Sequence, residues 1–257
     1  MATAIRQNTP ARTPEHRTVS RIMAILEAVV ASEPVGLRLA DLPDMIGAPK
    51  SSVHGLARGL VATGYLREHQ GRYFQGPAVA MLTGRGGQFP AAYHHALRHA
   101  LEQLSKAWNE TAVLATLAGD SVVNLDVVEP DQLIRAAPPV RERCPLWPGS
   151  YGKVFLAFMD PRRRDAYLRR QHKDPHEQAR ILADLETIRA TGVAFDRGES
   201  IPDLYGAASP ITVAGIDVML AIAVAGPASR MAECLDDIAR SVLETARGLS
   251  NPGAGMG

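Results

Sequence analysis

Hydrophobic residues recur with helical spacing near the start of the chain. Over Thr18–Ser32 they form one stripe, at the i, i+3, i+4 and i+7 separations typical of a helix that packs on a core. The stripe consists of Ile22, Ile25, Leu26, Val29 and Val30. A shorter amphipathic helix is predicted over Leu39–Ile46. Gly47 ends it and Pro49 begins a third helix that reaches Val61, because Gly is favoured just past a helix and Pro at its first position.

Two predicted strands follow the third helix, at Tyr65–Glu68 and Arg72–Gln75. The segment His69-Gln70-Gly71 is predicted to join them as a three-residue hairpin loop, with Gly71 in the left-handed position. The order helix, helix, turn, helix, hairpin is typical of a winged helix-turn-helix, in which the helix after the turn enters the major groove of DNA.

The two faces of the third predicted helix differ in character. Its inward face is apolar and consists of Val53, Leu56, Ala57, Leu60 and Val61. The opposite face is small, polar and cationic, which suits a helix that lies against DNA, although a solvated surface helix has a similar pattern. Lys50 at the helix start suits a phosphate, and Arg58 suits the O6 and N7 atoms of guanine. We expect DNA contacts from Lys50, Ser51, Ser52, His54, Gly55, Arg58 and, in the wing, Arg72.

The second half of the chain mixes strands and helices. A short apolar helix (Ala78–Leu82) and a glycine-rich joint (Gly84–Gly87) are predicted to precede a long helix over Pro90–Trp108. Further strands are predicted at Ala112–Ala118, Ser121–Val128, Leu133–Ala136, Val193–Asp196, Ala207–Val213 and Asp217–Ala225. Further helices are predicted at Tyr151–Met159, Pro161–Arg170, Glu177–Thr191 and Ala228–Leu249. Antiparallel strand pairs with helices before, between and after them predict an α+β fold.

These patterns divide the chain into four parts. We predict a disordered tail (1–16), a winged helix-turn-helix DNA-binding domain (17–76), a linker helix and joint (77–89) and a second domain (90–250). A chain of 257 residues with 46% hydrophobic and 21% charged residues is long enough for two ordinary domains. Up to Pro90 there are 10 Lys and Arg against 6 Asp and Glu, and this basic excess suits a polyanionic partner such as DNA.

The sequence gives no sign of a membrane or secreted protein. No apolar run approaches the ~20 residues that span a bilayer, and the polar start has no signal-peptide core. Cys144 and Cys234 stand far apart without a CxxC pair, which argues against a disulfide framework. We therefore expect a cytoplasmic protein that binds no membrane.

The segment Pro148–Lys153 approaches two catalytic motifs and fulfils neither. A P-loop requires Gly where Trp147 stands and Ser or Thr where Val154 stands, and a nucleophile elbow requires Gly at Pro148. What remains is a small-residue loop at a helix start, which either holds a carboxylate through its N–H groups or is an ordinary turn. We predict no catalytic residue, because no nucleophile–base pair is visible.

A metal site is not indicated either. His95 and His99 have the i, i+4 spacing of metal ligands, but no third candidate ligand stands near them in the sequence. We accordingly predict neither a metal nor a cofactor.

Taken together, the chain resembles the IclR family of bacterial transcriptional regulators along nearly its whole length. The N-terminal residues that carry the resemblance are Val19–Glu27, Pro49–His54, Gly64–Leu66 and Gly71–Pro77. The C-terminal ones are Pro145-Leu146, Gly152–Ala157, Gly192–Asp196, Glu199, Ala208–Pro210 and Ala221–Pro227. Each motif alone is weak, but their order and spacing over more than 200 residues are specific.

The resemblance implies a winged helix-turn-helix domain joined by a helical linker to a GAF-like effector-sensing domain. It also implies dimers through the DNA-binding half, often assembled into tetramers, and a two-fold arrangement suits a palindromic operator. Carried over position by position, it places the effector-binding residues at Leu133, Ala136, Cys144, Ser150, Tyr151, Asp196, Leu204 and Gly206.

Two departures from the family pattern bear on specificity. Gly55 stands where the family usually has Arg after the His, so we expect Arg58, one turn further on, to substitute for it. In the second domain Trp147–Tyr151 replaces the usual run of His, Ala and Thr or Ser, and Asp203 replaces a usual Gly. The bulk of Tyr151 reshapes the implied pocket in favour of an aromatic or larger organic acid.

The leading interpretation is a sequence-specific DNA-binding transcriptional regulator of the IclR type, controlled by a small organic-acid effector, aromatic acids included. Its expected partners are a double-stranded DNA operator, the effector and further copies of the chain, as a homodimer or homotetramer. One alternative is a constitutive DNA-binding regulator whose degenerate second domain only oligomerises. The other is an enzyme with an accessory DNA-binding domain, which requires catalytic groups that the sequence does not show.

Overall fold

The computed structural model describes residues 16–79, 91–212, 218 and 220–250. Its contacts divide the chain into two compact units, Met1–Gly59 with Glu68–Phe74 and Leu60–Arg67 with Gln75–Gly257. The predicted linker helix and joint fall almost entirely on 80–90, and the predicted turn at Gly215 on 213–217, all outside the described residues. The domain limits given above stay predictions.

The N-terminal part of the chain consists of helices and a small sheet. The helices are α1 (Arg17–Ala31), α2 (Leu42–Ile46) and α3 (Lys50–Ala62), and the strands are β1 (Leu37–Arg38), β2 (Leu66–His69) and β3 (Arg72–Gln75). The sheet has the order β1-β3-β2, with Leu37 opposite Tyr73 in an antiparallel pair. The three predicted helices are present, but α2 begins at Leu42 because the residues before it form a turn, and β1 was not predicted.

Local chemistry fixes the turn between α2 and α3. Gly47 has a φ of +64° and its N–H donates to the carbonyl of Pro43, which is the left-handed helix end that Gly adopts most easily. Pro43 lies in the first turn of α2, where its missing N–H removes no helical hydrogen bond. The sequence prediction of a helix–turn–helix at this point therefore has a direct physical basis.

The β2–β3 hairpin corrects one expectation. Its connection is the two-residue turn Gln70-Gly71, because His69 belongs to β2, and not a three-residue loop. The two residues have φ values of +50° and +73°. Two successive positive φ angles are typical of a type I′ turn, whose twist matches that of a two-stranded ribbon.

The second unit is built on a six-stranded sheet in the order β6-β5-β4-β9-β8-β7, in which all paired strands are antiparallel. Its strands are β4 (Thr111–Ala118), β5 (Ser121–Val128), β6 (Arg143–Cys144), β7 (Ala194–Arg197), β8 (Leu204–Ile211) and β9 (Leu220–Pro227). Its helices are α4 (Ala91–Trp108), α5 (Ser150–Phe158), α6 (Pro161–Gln171), α7 (Pro175–Thr191), α8 (Ala228–Met231) and α9 (Leu235–Ser250).

Helices cover both faces of this sheet, and each face has its own core. Helices α5, α6 and α7 pack on one face, whereas α4, α8 and α9 pack on the other. The face toward α5 is made largely of small buried residues, namely Ala115, Ala194, Ala208, Ala221 and Ala223. Small side chains let α5 lie close to the sheet, so the start of α5 is brought near the ends of β7 and β8.

Two expectations for the second domain are wrong in detail. Leu133–Ala136 is irregular and not a strand, whereas Arg143–Cys144 pairs with β5 as β6. The physical reason is that carbonyls of the irregular segment are satisfied by side chains: Thr111 Oγ1 donates to the oxygen of Ala136 at 2.5 Å. The predicted final helix is interrupted by a turn at 232–234 and so forms α8 and α9.

A buried ion pair holds this irregular segment in place. The side chain of Glu110 is only 4% exposed, and the guanidinium of Arg230 donates to both of its carboxylate oxygens. The Nη2 of Arg230 also donates to the carbonyl of Ile134 at 3.0 Å. The hydrogen bond with Glu110 is the main cause that raises the pKa of Arg230. One guanidinium thus joins β4, α8 and the segment after β5.

Candidate nucleic-acid interface and effector site

The exposed face of α3 agrees with the face predicted to contact DNA. Five of the six helix residues proposed for DNA contact are exposed, and they are Lys50, Ser51, His54, Gly55 and Arg58. Val53 and Ala57 on the opposite face are completely buried. The helix therefore presents a cationic surface to solvent while its apolar side holds it on the core.

Ser52 is half-buried because another side chain covers it. Arg21, on α1, donates from Nη1 to the hydroxyl of Ser52 at 3.3 Å. This contact places a second guanidinium beside the first turn of α3, where a phosphate contact from Lys50 is expected. Arg21 was not among the predicted DNA contacts. It is the one basic residue of the first predicted helix and stands beside the apolar stripe, and this was a signal that could have identified it.

Gly55 leaves the middle of the exposed helix face open. A Cβ built at this position meets nothing within 4 Å among the described residues. The fold itself therefore does not require Gly there, even though Gly in a helix interior costs roughly 0.5–1 kcal/mol relative to Ala. A close approach of the helix backbone to a ligand such as DNA is one purpose that a missing side chain serves.

The wing-side strand β3 lies next to Arg58. Burial, followed by the charge of Glu68 and its hydrogen bond, raises the pKa of Tyr73, while the Arg58 guanidinium acts in the opposite direction. Arg58 is thus close enough to Tyr73 to affect its proton. The cationic end of α3 is placed by this contact beside the hairpin.

Arg72, the predicted wing contact, has a structural partner. Its Nη1 donates to the carbonyl of Gly36 at 2.9 Å, across to the turn before β1. This bond uses one of the five N–H donors of a guanidinium, so the others stay available to a phosphate. The contact fixes the wing to the body of the unit that carries it.

The start of α5 builds the second candidate site. A Cβ on Gly152 would overlap the carbonyl oxygen of Leu146, so only Gly lets the helix start lie this close to the preceding turn. A Cβ on Gly206 would lie 3.3 Å from the hydroxyl oxygen of Ser150, which shows how near the helix start is to β8. Gly206 in turn lies opposite Asp196 on β7.

Five polar or ionisable residues meet here, and we call them the Tyr151 cluster: Asn124, Cys144, Ser150, Tyr151 and Asp196. Burial is the main cause that raises the pKa of Tyr151 to about 12, and Cys144 and Asp196 act in the same direction. A hydrogen bond from the Asn124 amide acts against them. The phenol of Tyr151 is therefore protonated at neutral pH and can donate a hydrogen bond.

Asp196 is a buried carboxylate whose charge is compensated locally. It is 4% exposed and accepts hydrogen bonds from the N–H groups of Glu199 and Ser200 at 2.9 and 3.3 Å, and from the Ser200 hydroxyl. These hydrogen bonds satisfy the oxygens of a carboxyl group that is shielded from water. Asp196 fixes the turn after β7, which forms one wall of the cluster.

Asn124 has an unused acceptor inside the same cluster. Its Nδ2 donates to the carbonyl of Pro139 at 2.9 Å, yet its buried Oδ1 accepts no hydrogen bond from any described residue. Such orphaned buried acceptors are rare and usually have a water or ligand partner. Asn124 was not among the predicted site residues, although an amide side chain within the mainly apolar strand Ser121–Val128 was a signal that could have identified it.

The other three residues proposed for effector binding are Leu133, Ala136 and Leu204. Leu133 is 96% exposed, on the irregular segment, and no contact joins it to the Tyr151 cluster in the described part of the chain. Ala136 and Leu204 are half-buried. The carbonyl of Ala136 accepts a hydrogen bond from Thr111, and Leu204 begins β8, two residues before Gly206. Of the eight proposed residues, the structure brings Cys144, Ser150, Tyr151, Asp196 and Gly206 together.

A prediction tests the buried state of Tyr151. Because its folded pKa of about 12 exceeds the ordinary 10.0, the unfolded chain loses this proton first as the pH rises above 10, and stability falls. We expect Tyr151→Phe to remove about 1.4 kcal/mol of the loss in unfolding free energy between pH 9 and pH 11. Urea unfolding at both pH values measures this, with Tyr205→Phe as the matched loss of one hydroxyl. An unchanged loss in Tyr151→Phe contradicts the burial.

The thiol of Cys144 is partly shielded from water in the second unit. Burial, with a smaller effect of Glu142, raises the pKa of Cys144, which keeps its thiol protonated and weakly nucleophilic. Within the described ranges, no three His, Cys, Asp or Glu residues gather as a metal site, and no helix has the length and apolar character to cross a bilayer.

Comparison with known proteins identifies the family. The model of the IclR helix-turn-helix domain matches residues 18–70, and the model of the bacterial transcriptional regulator IclR C-terminal domain matches residues 93–251. The regulator BhcR of Paracoccus denitrificans is 29% identical over 242 residues, which are 91% of this chain and 86% of BhcR. The probable transcriptional regulator SauR of Cupriavidus necator is 30% identical over 224 residues, 82% of this chain and 86% of SauR.

Solved structures agree on the fold. The crystal structure of the Thermotoga maritima IclR protein has a TM-score of 0.58, with 21% identity, over 91% of this chain and 98% of that one. The predicted fold class, an N-terminal winged helix-turn-helix and a C-terminal α+β domain, is thereby confirmed, and the helix-turn-helix implies DNA as a partner. The chain belongs to the IclR family of bacterial transcriptional regulators.

Proposed function

We propose that this IclR-type regulator binds its operator through α3 and the wing. A small organic acid that occupies the Tyr151 cluster lowers or raises the affinity for the operator. The observation that carries the effector part is the cluster itself: a protonated phenol and an unused amide acceptor lie beside the first turn of α5. Ligand binding there shifts the population between oligomer geometries, and with it the spacing of paired recognition helices.

The chemistry of the cluster favours an acid. Gly149 at the start of α5 supplies no side-chain cap, so the first N–H groups of the helix stay available to an anion. The Tyr151 hydroxyl adds a neutral donor, and Asn124 Oδ1 adds an acceptor for a hydroxyl on the same ligand. The ring of Tyr151 and the neighbouring Trp147, both packed on the apolar core, suit an aromatic body.

A line of exposed apolar residues on α1 supports a dimer. Val19, Met23 and Val30 are 56, 48 and 44% exposed, and their spacing puts them on one helix face. Scattered exposed apolar residues are normal, but several of them along one face of a helix suit contact with a second copy of the chain. Two copies would present two α3 helices to the half-sites of a palindromic operator.

The effector part is tested by thermal denaturation of the full-length protein with a panel of aliphatic and aromatic carboxylic acids. An acid at 100 times its Kd adds about 2.7 kcal/mol of stability, which raises the midpoint by about 5–10 °C in a domain of this size. Tyr151→Phe should reduce that shift, while Tyr205→Phe keeps it. If no acid stabilises a protein that still binds its operator, the constitutive alternative holds.

The DNA part is tested at Arg58. Arg58→Ala should weaken operator binding by roughly 1–3 kcal/mol and relax the preference at one base pair, because a bidentate contact to guanine discriminates bases as well as binding them. Fluorescence anisotropy with operator variants at fixed salt measures both effects. An equal loss on every sequence makes Arg58 a phosphate contact, and no loss removes it from the interface.

A further inference from the structure

A cavity opens in the C-terminal unit, at the outer edge of β7 between α7 and α9. Its volume is about 490 Å³, within the 300–1,000 Å³ range of small-molecule sites. None of the five residues of the Tyr151 cluster lines it. The apolar part of its lining consists of Ile188, Val193, Phe195, Ala239 and Leu243. The cavity therefore differs in place and in composition from the effector site proposed above.

The charged groups around the cavity balance one another. Three cationic side chains, Lys153, Arg197 and Arg240, face three carboxylates, Asp184, Glu199 and Asp236. Most of these groups are paired already: Arg197 lies 3.8 Å from Asp236, and Lys153 lies 2.6 Å from Glu199. A lining without net charge gives no advantage to an anion or a cation, and a charged ligand would have to displace an existing partner.

Lys153 gives the cavity one directed polar contact. It is 3% exposed, and its ammonium donates to the carbonyl of Phe195 at 2.9 Å and to Glu199. Asp184 stays 3.7 Å away, too far for a hydrogen bond. Two of the three N–H donors of the ammonium thus make hydrogen bonds to described residues, and the ammonium also lies 5.0 Å from the centroid of the Trp147 ring. The third donor has no hydrogen bond among these contacts and can turn to an uncharged acceptor.

The same contact argues against a peptide strand as the occupant. The outward carbonyl of Phe195 is the group that an added strand would need at the edge of β7, and Lys153 already occupies it. The ring of Phe195 is covered by the Arg197 guanidinium, 4.4 Å from its centroid.

We propose that this cavity binds a small, uncharged amphipathic molecule, with an apolar body against Ile188, Phe195 and Leu243 and one carbonyl or amide oxygen on Lys153. Charge balance selects the uncharged ligand, the apolar lining holds its body, and the remaining donor of Lys153 orients its acceptor. The site is independent of the proposed effector site, since binding here requires neither DNA nor an organic acid.

The proposal is tested on the full-length protein with three matched probes. These are 4-(trifluoromethyl)benzamide, 4-(trifluoromethyl)benzoate and 4-(trifluoromethyl)benzylammonium, titrated by ¹⁹F NMR. The benzamide should bind at least tenfold more tightly than either charged probe at this site. Methyl resonances of Ile188 and Leu243 should shift in the wild-type protein, whereas those of Val113 and Val122 on the α5 side of the sheet should not.

A cavity-filling variant completes the test. Leu243→Trp should weaken benzamide binding at least tenfold, and Arg247→Trp, the same new side chain on an exposed position of α9, should change it less than twofold. The proposal is overturned if the charged probes shift the Ile188 and Leu243 methyl resonances as strongly as the benzamide does, if the benzamide shifts centre on Val113 and Val122, or if Leu243→Trp binds the benzamide like wild type. The methyl shifts decide the question even if Leu243→Trp does not fold. Failure of the organic-acid thermal shifts leaves these results unaffected.

Discussion

The double substitution K50E and R58E reverses the charge of both cationic side chains on the exposed face of α3. We expect it to weaken operator binding by about a thousandfold, or about 4 kcal/mol. Both side chains are exposed on α3, so the change removes two attractive charges per protomer and adds two repulsive ones. Folding should be retained, because a Glu at the start of a helix interacts favourably with the helix dipole. Anisotropy titrations at several salt concentrations measure the effect.

The salt dependence gives this prediction its specificity. The slope of log K against log salt should be smaller in the double variant by about 1 per protomer, because the lost phosphate contact of Lys50 no longer displaces a counterion from the DNA. R180E with R189E on α7 provides the matched control, with the same change in net charge on two other exposed positions. An equal loss in that control would show a general charge effect and would remove α3 from the interface.

Loss of the guanidinium that pairs with the buried Glu110 should have the largest effect on stability. We expect Arg230→Leu to lower the unfolding free energy by about 3 kcal/mol, because it leaves the carboxylate of Glu110 buried without its partner. The estimate takes the lower end of the usual range, since the Arg230 side chain is 35% exposed. The segment that contains Ile134 should also exchange its amide hydrogens faster. Urea unfolding and hydrogen exchange measure the two effects.

A double variant separates the ion pair from simple packing. Glu110→Gln combined with Arg230→Leu removes the buried charge together with its partner, and we expect it to recover at least half of the stability lost in Arg230→Leu. If the double variant is no more stable than Arg230→Leu, the cost arises from lost packing of the long side chain. If Arg230→Leu costs less than about 1 kcal/mol, the pair does not hold the segment.

The elements that sequence could predict are those with local causes. The turn between α2 and α3 follows from Gly47 and Pro49, and α7 ends before Gly192 in the left-handed conformation that Gly allows. The stripe of α1 is likewise periodic, and Ile25 and Val29 from it are fully buried. In each case the information lies within a few residues, so pattern and structure agree.

What the sequence could not predict depends on partners far along the chain. β1 has two residues and exists only because Leu37 pairs with Tyr73, so it has no readable alternation. The segment around Leu133 has strand-like residues, but Thr111 and Arg230 satisfy its carbonyls and it forms no ladder. The exposed face of α3 could be predicted because it is a local helix surface. The balanced cavity beside β7 could not be, because α5, α7 and α9 together form it.

The adjacent positions 151 and 152 are subject to two unrelated constraints. The carbonyl of Leu146 excludes any side chain at 152, so this position secures the architecture of the receptor. The phenol next to it belongs to the proposed effector site and meets no such backbone constraint. A biosensor library built on this protein therefore gains by randomising 151 while keeping 152 fixed, since new ligand preferences become accessible without loss of the scaffold. Natural divergence of effector specificity has the same route open to it.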